Sequence, residues 1–595
     1  MKYPRLQELP TARETVEVFK GYNHNLRIGS GEFYDMTNLS SDNYPVLSPR
    51  SQRGVYATPL NPSVASIQGL ARYDNLCYVD GTKLVVDKYP VEMGLSTDPD
   101  DCPKQLIRMG AYLIILPDKK WINLTNLTDF GNIEAEVKTT GVKTTFQTSK
   151  VDGSSYENVV VGATAPTITE AMEKGDEEIP LWLDTSGEIH SLKQYSKSMS
   201  TWTTIATTYV KISATGIGEP FEVGDGVTIS GIENEQLKDL NNTMVIQAKG
   251  DNYIVVIGIC DKVVEQTTAI TAERRMPTMD FVIESENRLW GCHYGIAQNG
   301  EMVNEIYASK QGDFKNWHCY AGISTDSYAA TVGTDGQFTG AITHLGYPLF
   351  FKENYIHKVY GNFPSNYQIN TTACRGVQKY SHKSLAIVNE VLYYKSRSGI
   401  CSYDGSLPQE ISYAMGEETY SEAVAGSHGN KYYISMKSDK SGEWNLFVYD
   451  AAKGMWHRED DTQADAFCDC RGDLYYIDHA DNCIKTVRGT GATETAPIQW
   501  QAVTGIIGTD SPDKKYISRM DVRMSLAVGA RVSFFAEYDS SGEWEYLFAM
   551  DGVKLRTFAV PIRPQRCDHM RLKIVGNGEA KIYSICKTIE QGSDV

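Results

Sequence analysis

The sequence has almost no helical periodicity and no long apolar run. Apolar residues at i, i+3 and i+4 spacing occur only around Thr167–Lys174, and Asn234–Leu240 is a second short candidate helix. The longest apolar runs, such as Tyr112–Pro117 and Tyr253–Cys260, are too short to cross a bilayer. These absences exclude a helical bundle and a helical membrane protein, and they leave an all-β fold as the expected class.

Sequence patterns typical of secretory signal peptides and of metal sites are also scarce. Met1–Lys20 contains no apolar core of a secretory signal, so we expect synthesis in a cytosol. The 12 cysteines are scattered without a C-x-x-C pair, which predicts buried free thiols. Cys468 and Cys470, followed by His479 and Cys483, offer four tetrahedral donors, but the spacing matches no standard zinc module. Two core thiols on one strand face are the preferred interpretation, and no metal or cofactor is expected.

Basic residues are the minority charge, at 57 against 75 acidic residues, for a net charge of −18. Because Lys and Arg supply affinity for phosphate, this balance argues against tight nucleic-acid binding and against docking on anionic membranes. The segment Gly131–Arg275 has 12 basic and 21 acidic residues, whereas the chain from Trp500 onward has 13 and 12. Basic residues gather in Lys554–Lys573, where a solvated sheet face or a protein interface is expected. The candidate interface residues are Arg556, Arg563, Arg566 and Arg571.

Short strand pairs recur along the chain. Each unit reads as a turn, two or three aromatic or aliphatic residues and a pairing strand, and the units start at Asn75, Gly110, Asn287, Gly346, Asn389, Gly429 and Gly472. The later starts are spaced by about 40–45 residues, which is typical of four-stranded propeller blades. The sequence therefore predicts a β-propeller of about six to eight blades, with a run of hairpins in a sandwich as the alternative.

The domain prediction follows from the breaks in this period. Residues 1–130 hold an N-terminal segment and the first blades, and residues 131–275 form an inserted acidic β-rich domain. Residues 276–490 hold the remaining blades. The Gly- and Thr-rich stretch near Thr490 is typical of a linker. The alternating strand patterns in residues 491–595 predict a C-terminal β-sandwich.

Catalytic motifs are not evident. Ser309–Trp317 (SKQGDFKNW) approaches the Asp-box of sialidases, but its Asp follows the Gly, so a turn capped by Asp313 is the preferred interpretation. There is no G-x-S-x-G, no P-loop and no G-x-G-x-x-G after a strand. Glycosidases need two facing carboxylates, and 75 acidic residues offer too many pairs to choose one. The sequence thus predicts a protein that is not an enzyme.

Two stretches carry a resemblance to a known family. Phe19–Gly54 resembles the opening of tailed-phage and prophage virion proteins, and Asn287–Tyr360 is similar to the same proteins in its "NRLW", "IYAS", "GDFKNW" and "FKENYI" runs. Within the insertion, Gly224–Gly231 and Leu240–Thr243 resemble small β-domains of phage tail and adaptor proteins. The N-terminal residues that match are Glu32, Phe33, Asp35, Asn38, Leu39, Tyr44, Pro45, Pro49 and Arg50.

The resemblance is to the tail nozzle, or packaged-DNA stabilisation, family of short-tailed phages. It implies a structural virion protein in a phage tail, made and assembled in the bacterial cytoplasm. It also implies a homo-oligomeric ring, expected to be six-fold, that contacts the portal or adaptor and the tail fibre proteins. Genomic DNA would pass through the ring without tight binding, and this chain would not insert in a membrane. The implied role is to close or guide the DNA channel during packaging and ejection.

Two other functions remain open. A receptor- or glycan-binding tail-tip protein is suggested by the C-terminal sandwich and by Trp444, Trp456 and Trp544, if these side chains are exposed. A propeller hydrolase acting on surface polysaccharide is the third hypothesis, although no acid/base pair stands out.

Overall fold

The computed structural model describes residues 11–61, 66–98, 103–297, 299–509 and 514–591, so Cys102 lies outside the described residues. Nearly every element is a strand, and the expectation of an all-β class is confirmed. Both predicted short helices are present, as α1 (Glu170–Lys174) and as a 3-10 turn at Glu235–Leu240. None of the described helices is long and apolar enough to cross a membrane.

Six short strands open the described chain; four of them join sheets built by later strands, and the fourth and fifth strands pair with each other. They are β1 (Thr11–Val16), β2 (Gly21–Tyr22), β3 (Glu32–Thr37), β4 (Leu39–Ser40), β5 (Ser48–Pro49) and β6 (Gly54–Ala57).

Two four-stranded sheets follow before the predicted insertion. Their strands are β7 (Ile67–Arg72), β8 (Leu76–Asp80), β9 (Lys83–Val86) and β10 (Tyr89–Glu92), then β11 (Gln105–Met109), β12 (Tyr112–Leu116), β13 (Lys120–Asn123) and β14 (Asn126–Asn132). Each sheet follows chain order, so each is an antiparallel meander.

The insertion contains three sheets. Their strands are β15 (Ala135–Lys138), β16 (Thr144–Ser149), β17 (Val159–Gly162), β18 (Leu181–Asp184), β19 (Ser191–Ser196), β20 (Thr201–Thr204), β21 (Tyr209–Ser213), β22 (Gly226–Ser230), β23 (Thr243–Val245), β24 (Ala248–Gly250), β25 (Tyr253–Ile257), β26 (Val264–Gln266) and β27 (Thr271–Arg274). The sheet orders are β15-β27-β22-β23, β24-β25-β21-β16-β26 and β17-β18-β19-β20. The first two sheets share one apolar core that includes Phe146, Val210, Phe221 and Ile254.

Five more meanders follow the insertion. Their strands are β28 (Phe281–Ser285), β29 (Arg288–Ile296), β30 (Met302–Ala308), β31 (Tyr328–Thr331), β32 (Gly340–His344), β33 (Tyr347–Lys352), β34 (Tyr355–Tyr360), β35 (Gln368–Ala373), β36 (Ala386–Val388), β37 (Val391–Lys395), β38 (Ile400–Tyr403), β39 (Gln409–Glu410), β40 (Tyr420–His428), β41 (Lys431–Ser438), β42 (Trp444–Asp450), β43 (Met455–Arg458), β44 (Ala464–Cys470), β45 (Asp473–Asp478) and β46 (Ile484–Thr486). Each of the seven predicted repeat units contains the second strand of one of these sheets, in the order β8, β12, β29, β33, β37, β41 and β45.

The last strands build the C-terminal region. They are β47 (Ala492–Thr493), β48 (Gln499–Thr504), β49 (Lys515–Leu526), β50 (Arg531–Tyr538), β51 (Glu545–Asp551), β52 (Arg556–Val560), β53 (Met570–Asn577) and β54 (Ala580–Gln591). One sheet has the order β1-β54-β49-β52, and a ten-stranded sheet has the order β40-β41-β42-β43-β2-β3-β48-β53-β50-β51. A single core cluster joins the facing residues of both sheets, with Met36, Trp500, Val522, Phe534 and Ile582 among its members.

N-terminal strands complete C-terminal sheets, and this changes the predicted domain limits. β6 joins the sheet of β44–β46, where it pairs with β46 on one side and with β47 on the other. β1 pairs with β54, and β3 pairs with β48. Residues 491–595 therefore do not form a sandwich by themselves, because strands from residues 11–37 occupy places in both of its sheets.

Two compact units divide the chain by their internal contacts. The first comprises Met1–Arg108, Phe338–Lys358 and Thr371–Val595, and the second comprises Met109–Gln337 and Val359–Asn370. The insertion thus groups with its flanking strands β12–β14 and β28–β31, rather than standing as the separate domain 131–275 that the broken period predicts.

Candidate functional site

The N-terminal segment Phe19–Gly54 ties distant parts of the chain together. Asn38 has a left-handed backbone, with φ of 56°, and its side chain bridges two partners. Its Nδ2 donates to the carbonyl oxygen of Gln499 at 2.9 Å, and its Oδ1 accepts from Nε of Arg50 at 2.7 Å. Asn tolerates the left-handed region better than most residues. Asn38 and Arg50 therefore have structural roles in the first unit.

A buried ionic network lies next to this bridge. Arg53 reaches Glu459 with Nη2 and Asp460 with Nη1, each at 2.8 Å, and Arg50 reaches Glu494 at 3.2 Å. Burial alone would raise the pKa of Asp460, but attraction to Arg53 and Arg50 and hydrogen bonds from Thr462 hold it below its usual value. The network joins the N-terminal segment to the loop after β43.

The Asp-box-like stretch is a turn, as predicted. Oδ1 of Asp313 accepts from the backbone N–H of Lys315 at 3.0 Å, and Oδ2 accepts from Nδ2 of Asn316 at 2.5 Å. Trp317 is buried and donates from Nε1 to the carbonyl oxygen of Phe314 at 3.0 Å. These contacts satisfy the turn internally.

The same turn docks on the insertion within the second unit. Asn316 donates to Asp225 at 2.8 Å and accepts from the backbone N–H of Gly226 at 2.9 Å, and Asp225 also pairs with buried Arg274. A Cβ on Gly226 would lie 2.5 Å from the carbonyl oxygen of His318, so only glycine fits there. The GDFKNW and GDGV stretches thus contact each other directly.

The four candidate interface arginines do not form one strip. Arg571 lies on β53 of the ten-stranded sheet, half-buried, with its guanidinium 4.6 Å from the ring centre of Tyr34. Arg556 lies on β52 of the other sheet, 4.4 Å from the ring centre of Phe558. Arg563 and Arg566 are exposed on the connection between these two strands. Arg556 and Arg571 therefore do not lie on one sheet, because β52 and β53 belong to different sheets, and a protein interface at the four arginines stays a prediction.

The four donors considered for zinc are engaged elsewhere. His479 Nδ1 lies 3.0 Å from Asp465, and Cys483 contacts the carbonyl oxygen of Asp481. Cys468 and Cys470 pack in an apolar cluster, and burial raises the pKa of the Cys468 thiol to about 12. No group of three or more His, Cys, Asp or Glu residues is placed to hold a metal within the part of the chain that the structure describes. The eleven described cysteines are free thiols, and eight of them are buried as predicted, whereas Cys374, Cys468 and Cys483 are partly exposed.

A polar cavity of about 200 Å³ opens in the first unit, and sequence reasoning did not find it. We call it the Lys395 pocket. Its polar lining comes from the ends of β37 and β39, the turn at Ser412–Met415, the start of β40 and an N-terminal loop. The lining side chains with polar groups include Asn25, Lys395, Arg397, Ser398, Glu410, Ser412, Tyr413, Glu417, Glu418, Thr419 and Tyr420.

Lys395 is the most unusual member of this lining. Its side chain is only 2% exposed, and its ammonium group donates to Gln378 Oε1 at 2.7 Å and to the carbonyl oxygen of Ser396 at 2.6 Å. Burial lowers the pKa of Lys395 to about 8. Both of these acceptors are neutral oxygens, so this buried cation is stabilised by dipoles and by the more distant carboxylates of Asp439 and Glu410.

Carboxylates and one aromatic ring border the rest of the pocket. Glu410 pairs with Arg375 at 2.6 Å and accepts from Ser412 at 3.2 Å. Tyr413 is 77% exposed, and its carbonyl oxygen accepts from Asn25 at 2.8 Å. A Cβ on Gly399 would collide with Ser412 and Glu410, so the pocket wall requires glycine there. Hydroxyl groups of a ligand would find both donors and acceptors on these walls.

The tryptophans considered for glycan contact are less exposed than that hypothesis needs. Trp456 is 2% exposed and donates from Nε1 to the carbonyl oxygen of Ile411 at 2.9 Å, next to the pocket turn. Trp444 and Trp544 are half-buried, and Lys573 lies 4.4 Å from the ring centre of Trp544. Tyr413, by contrast, is exposed and lines the Lys395 pocket.

Comparisons with known proteins find only weak similarity to solved structures. No family model and no curated protein matches it. Solved structures with similarity include the exo-β-1,3-galactanase from Phanerochaete chrysosporium with galactose, 9% identical over 51% of this chain and 94% of that chain, with a TM-score of 0.21. A bifunctional GH43-CE protein of Bacteroides eggerthii is 9% identical over 53% and 62%, with a TM-score of 0.20. A Trypanosoma rangeli sialidase is 11% identical over 98% and 97%, with a TM-score of 0.15.

The expectation that the chain is not an enzyme is contradicted by this comparison, because the galactanase and the sialidase are enzymes by name. Its basis was the absence of a sequence motif, and two facing carboxylates leave no motif when they come from separate strands. At these identities and TM-scores the similarity assigns neither an activity nor a residue role to this chain.

Proposed function

We propose that the chain is a structural subunit of a phage tail, in the manner of the nozzle family that its sequence resembles. The observation that carries the proposal is the set of contacts that the side chains of Asn38, Arg50 and Arg53 make with residues far along the chain. Asn38 and Arg50 are among the residues that match the family pattern, and they fasten the N-terminal segment to strands more than 400 residues away. The matched pattern thus has an architectural role, which suits a family of structural proteins.

In this proposal the subunit forms a six-fold ring between the portal or adaptor and the tail fibres, after assembly in the bacterial cytoplasm. The net charge of −18 supports passage of DNA without adhesion, because like charges repel over a Debye length of about 8 Å at physiological salt. Head-to-tail contacts between copies would close such a ring.

Electron microscopy of the purified full chain tests this role. We expect rings with an axial channel, and mass spectrometry of particles from cells that encode the chain should detect it at a fixed copy number. A monomer at micromolar concentration that is absent from purified particles would overturn the proposal. Binding of duplex DNA to the ring at 150 mM salt would overturn only the claim that the negative net charge lets DNA pass without adhesion.

A second candidate function is binding of a surface glycan, and the Lys395 pocket favours it. The pocket combines buried and exposed donors, several carboxylates and the exposed ring of Tyr413. This mixture of hydrogen-bonding groups beside an aromatic ring is suited to a polyhydroxylated ligand. Screening the full chain on an immobilised array of bacterial and host glycans tests it, and the absence of any bound glycan would end this candidate.

A further inference from the structure

The charges around the Lys395 pocket nearly balance. Lys395 and Arg397 are cationic, and Glu410, Glu417 and Glu418 are anionic. Just outside the lining, Arg375 pairs with Glu410 at 2.6 Å and Lys440 pairs with Glu418 at 3.9 Å, and the carboxylate of Asp439 attracts the ammonium group of Lys395. A ligand with a net charge of either sign would therefore meet about as much repulsion as attraction, whereas an uncharged ligand would keep the balance.

The size of the cavity limits the ligand further. Its volume of about 200 Å³ is below the roughly 300–1,000 Å³ of pockets that enclose drug-sized ligands. One sugar ring is therefore the scale of ligand to consider, with the rest of a glycan outside the pocket.

The hydrogen-bonding groups fit such a ring. An ammonium group has three N–H donors, and the two contacts to Gln378 and Ser396 leave the third for a ligand. The carboxylates of Glu417 and Glu418 offer acceptors at the wall. A hydroxyl group can donate and accept at once, so adjacent hydroxyls can bridge the lysine and the carboxylates.

We propose that the Lys395 pocket binds one uncharged sugar residue of a glycan, with Lys395 donating to a ring hydroxyl and Tyr413 covering the exposed face of the ring. This inference rests on glycan binding, the second function proposed for the chain. It specifies the ligand as a neutral hexose or N-acetylhexosamine, in preference to a uronic or sialic acid.

The sequence supplies a matched control for Lys395. Lys352 ends β33 after Phe350 and Phe351, as Lys395 ends β37 after Tyr393 and Tyr394, and it is also buried, at 1% exposed. Lys352 does not line the pocket. Lys352→Met therefore reports the cost of losing a buried lysine at the end of a second strand, without touching the proposed ligand contact.

Ligand-detected NMR and calorimetry on the full chain form the test. The probes are the methyl glycosides of glucose, galactose and N-acetylglucosamine, with glucuronic acid and N-acetylneuraminic acid as charged counterparts. We expect at least one neutral probe to bind and the charged probes to bind at least ten-fold more weakly. Lys395→Met should weaken the neutral probe at least ten-fold, and Lys352→Met should leave it within two-fold.

Tyr413→Ala provides a second variant that does not depend on the fold tolerating Lys395→Met, because Tyr413 is 77% exposed. It should weaken the neutral probe at least five-fold. Unchanged binding in Tyr413→Ala, unchanged binding in a folded Lys395→Met variant, or preference for a charged probe would overturn the inference while leaving glycan binding intact. If no probe and no arrayed glycan binds, glycan binding itself fails.

Discussion

Arg53 and Glu459 form a buried ion pair of 2.8 Å although 406 residues separate them in the chain. Their side chains are 7% and 5% exposed, and Arg53 also pairs with Asp460. Removing one member of such a group leaves the other charge buried without its partner. Substitution of Arg53 therefore shows how much the attachment of the N-terminal segment contributes to the free energy of unfolding.

Arg53→Met should lower the free energy of unfolding by about 3–5 kcal/mol, because Glu459 and Asp460 would lose their buried cation. Urea unfolding followed by tryptophan fluorescence measures the loss. Arg72→Met is the control, since Arg72 pairs with Asp469 at 3.6 Å on the surface and should cost under about 1 kcal/mol. Equal losses of unfolding free energy in the two variants would show that the buried network stabilises the protein no more than a surface ion pair does.

Low pH should weaken the same buried ionic network of Arg50 and Arg53. Burial would raise the pKa of Glu494, but the hydrogen bond and attraction to Arg50 lower it below the usual 4.5, and the pKa of Asp460 is likewise below its usual 3.8. Carboxyls that are more acidic in the folded state stabilise it above their unfolded pKa, and this contribution disappears as pH falls through the folded pKa. The urea midpoint should therefore drop as pH decreases below about 5. In Asp460→Asn the decline should be shallower, and a parallel decline would contradict this assignment.

Gly226→Ala should loosen the contact between the insertion and the turn at Asp313–Trp317. The added methyl group would press on the carbonyl oxygen of His318 and displace the Asn316 hydrogen bonds, at a cost of about 1–3 kcal/mol. Hydrogen exchange at β22 should accelerate. In Gly333→Ala, where the new methyl group meets no atom within 4 Å, exchange at β22 should stay unchanged; acceleration in both variants would refute a local cause.

Gly576→Ala should damage the core shared by the two C-terminal sheets. A methyl group at this position would overlap the indole of Trp500, which is buried and donates to the carbonyl oxygen of Gly578 at 3.0 Å. Overpacking of this kind costs about 1–3 kcal/mol and shifts the ring. Differential scanning calorimetry should show a lower melting temperature, and a changed near-ultraviolet circular dichroism signal should report the displaced indole. A stability equal to that of the unmodified chain would mean that Trp500 has room to move.

The local pattern of this fold is readable from the sequence, and its long-range pairing is not. Alternating residues and turn signals predict the hairpins from Asn75 to Gly472, because strand periodicity is a local property. The places of β1, β3 and β6 in sheets with β54, β48 and β46 depend on partners more than 400 residues away. No local pattern records such pairings, so the sandwich reads as a separate domain.

The candidate site divides in the same way. The capped turn at Asp313 is predicted, since its contacts fall within four residues. The Lys395 pocket is missed because Asn25, Lys395 and Glu418 meet only after folding. One local signal was available: Lys395 and Lys352 each follow an apolar strand pattern at a position where a hydrophobic residue would be expected.

The completion of the β44–β46 sheet by β6 has a consequence for synthesis of the chain. At about 5–20 residues per second, strands near residue 55 wait roughly 20–90 s before residues near 485 leave the ribosome. The core of the insertion draws on residues between Phe146 and Ala272 and has no such delay. The insertion can therefore fold while the ribosome still holds the rest. The N-terminal strands wait longest for their partners in later sheets. They are therefore the part of the nascent chain that a chaperone most needs to protect from aggregation.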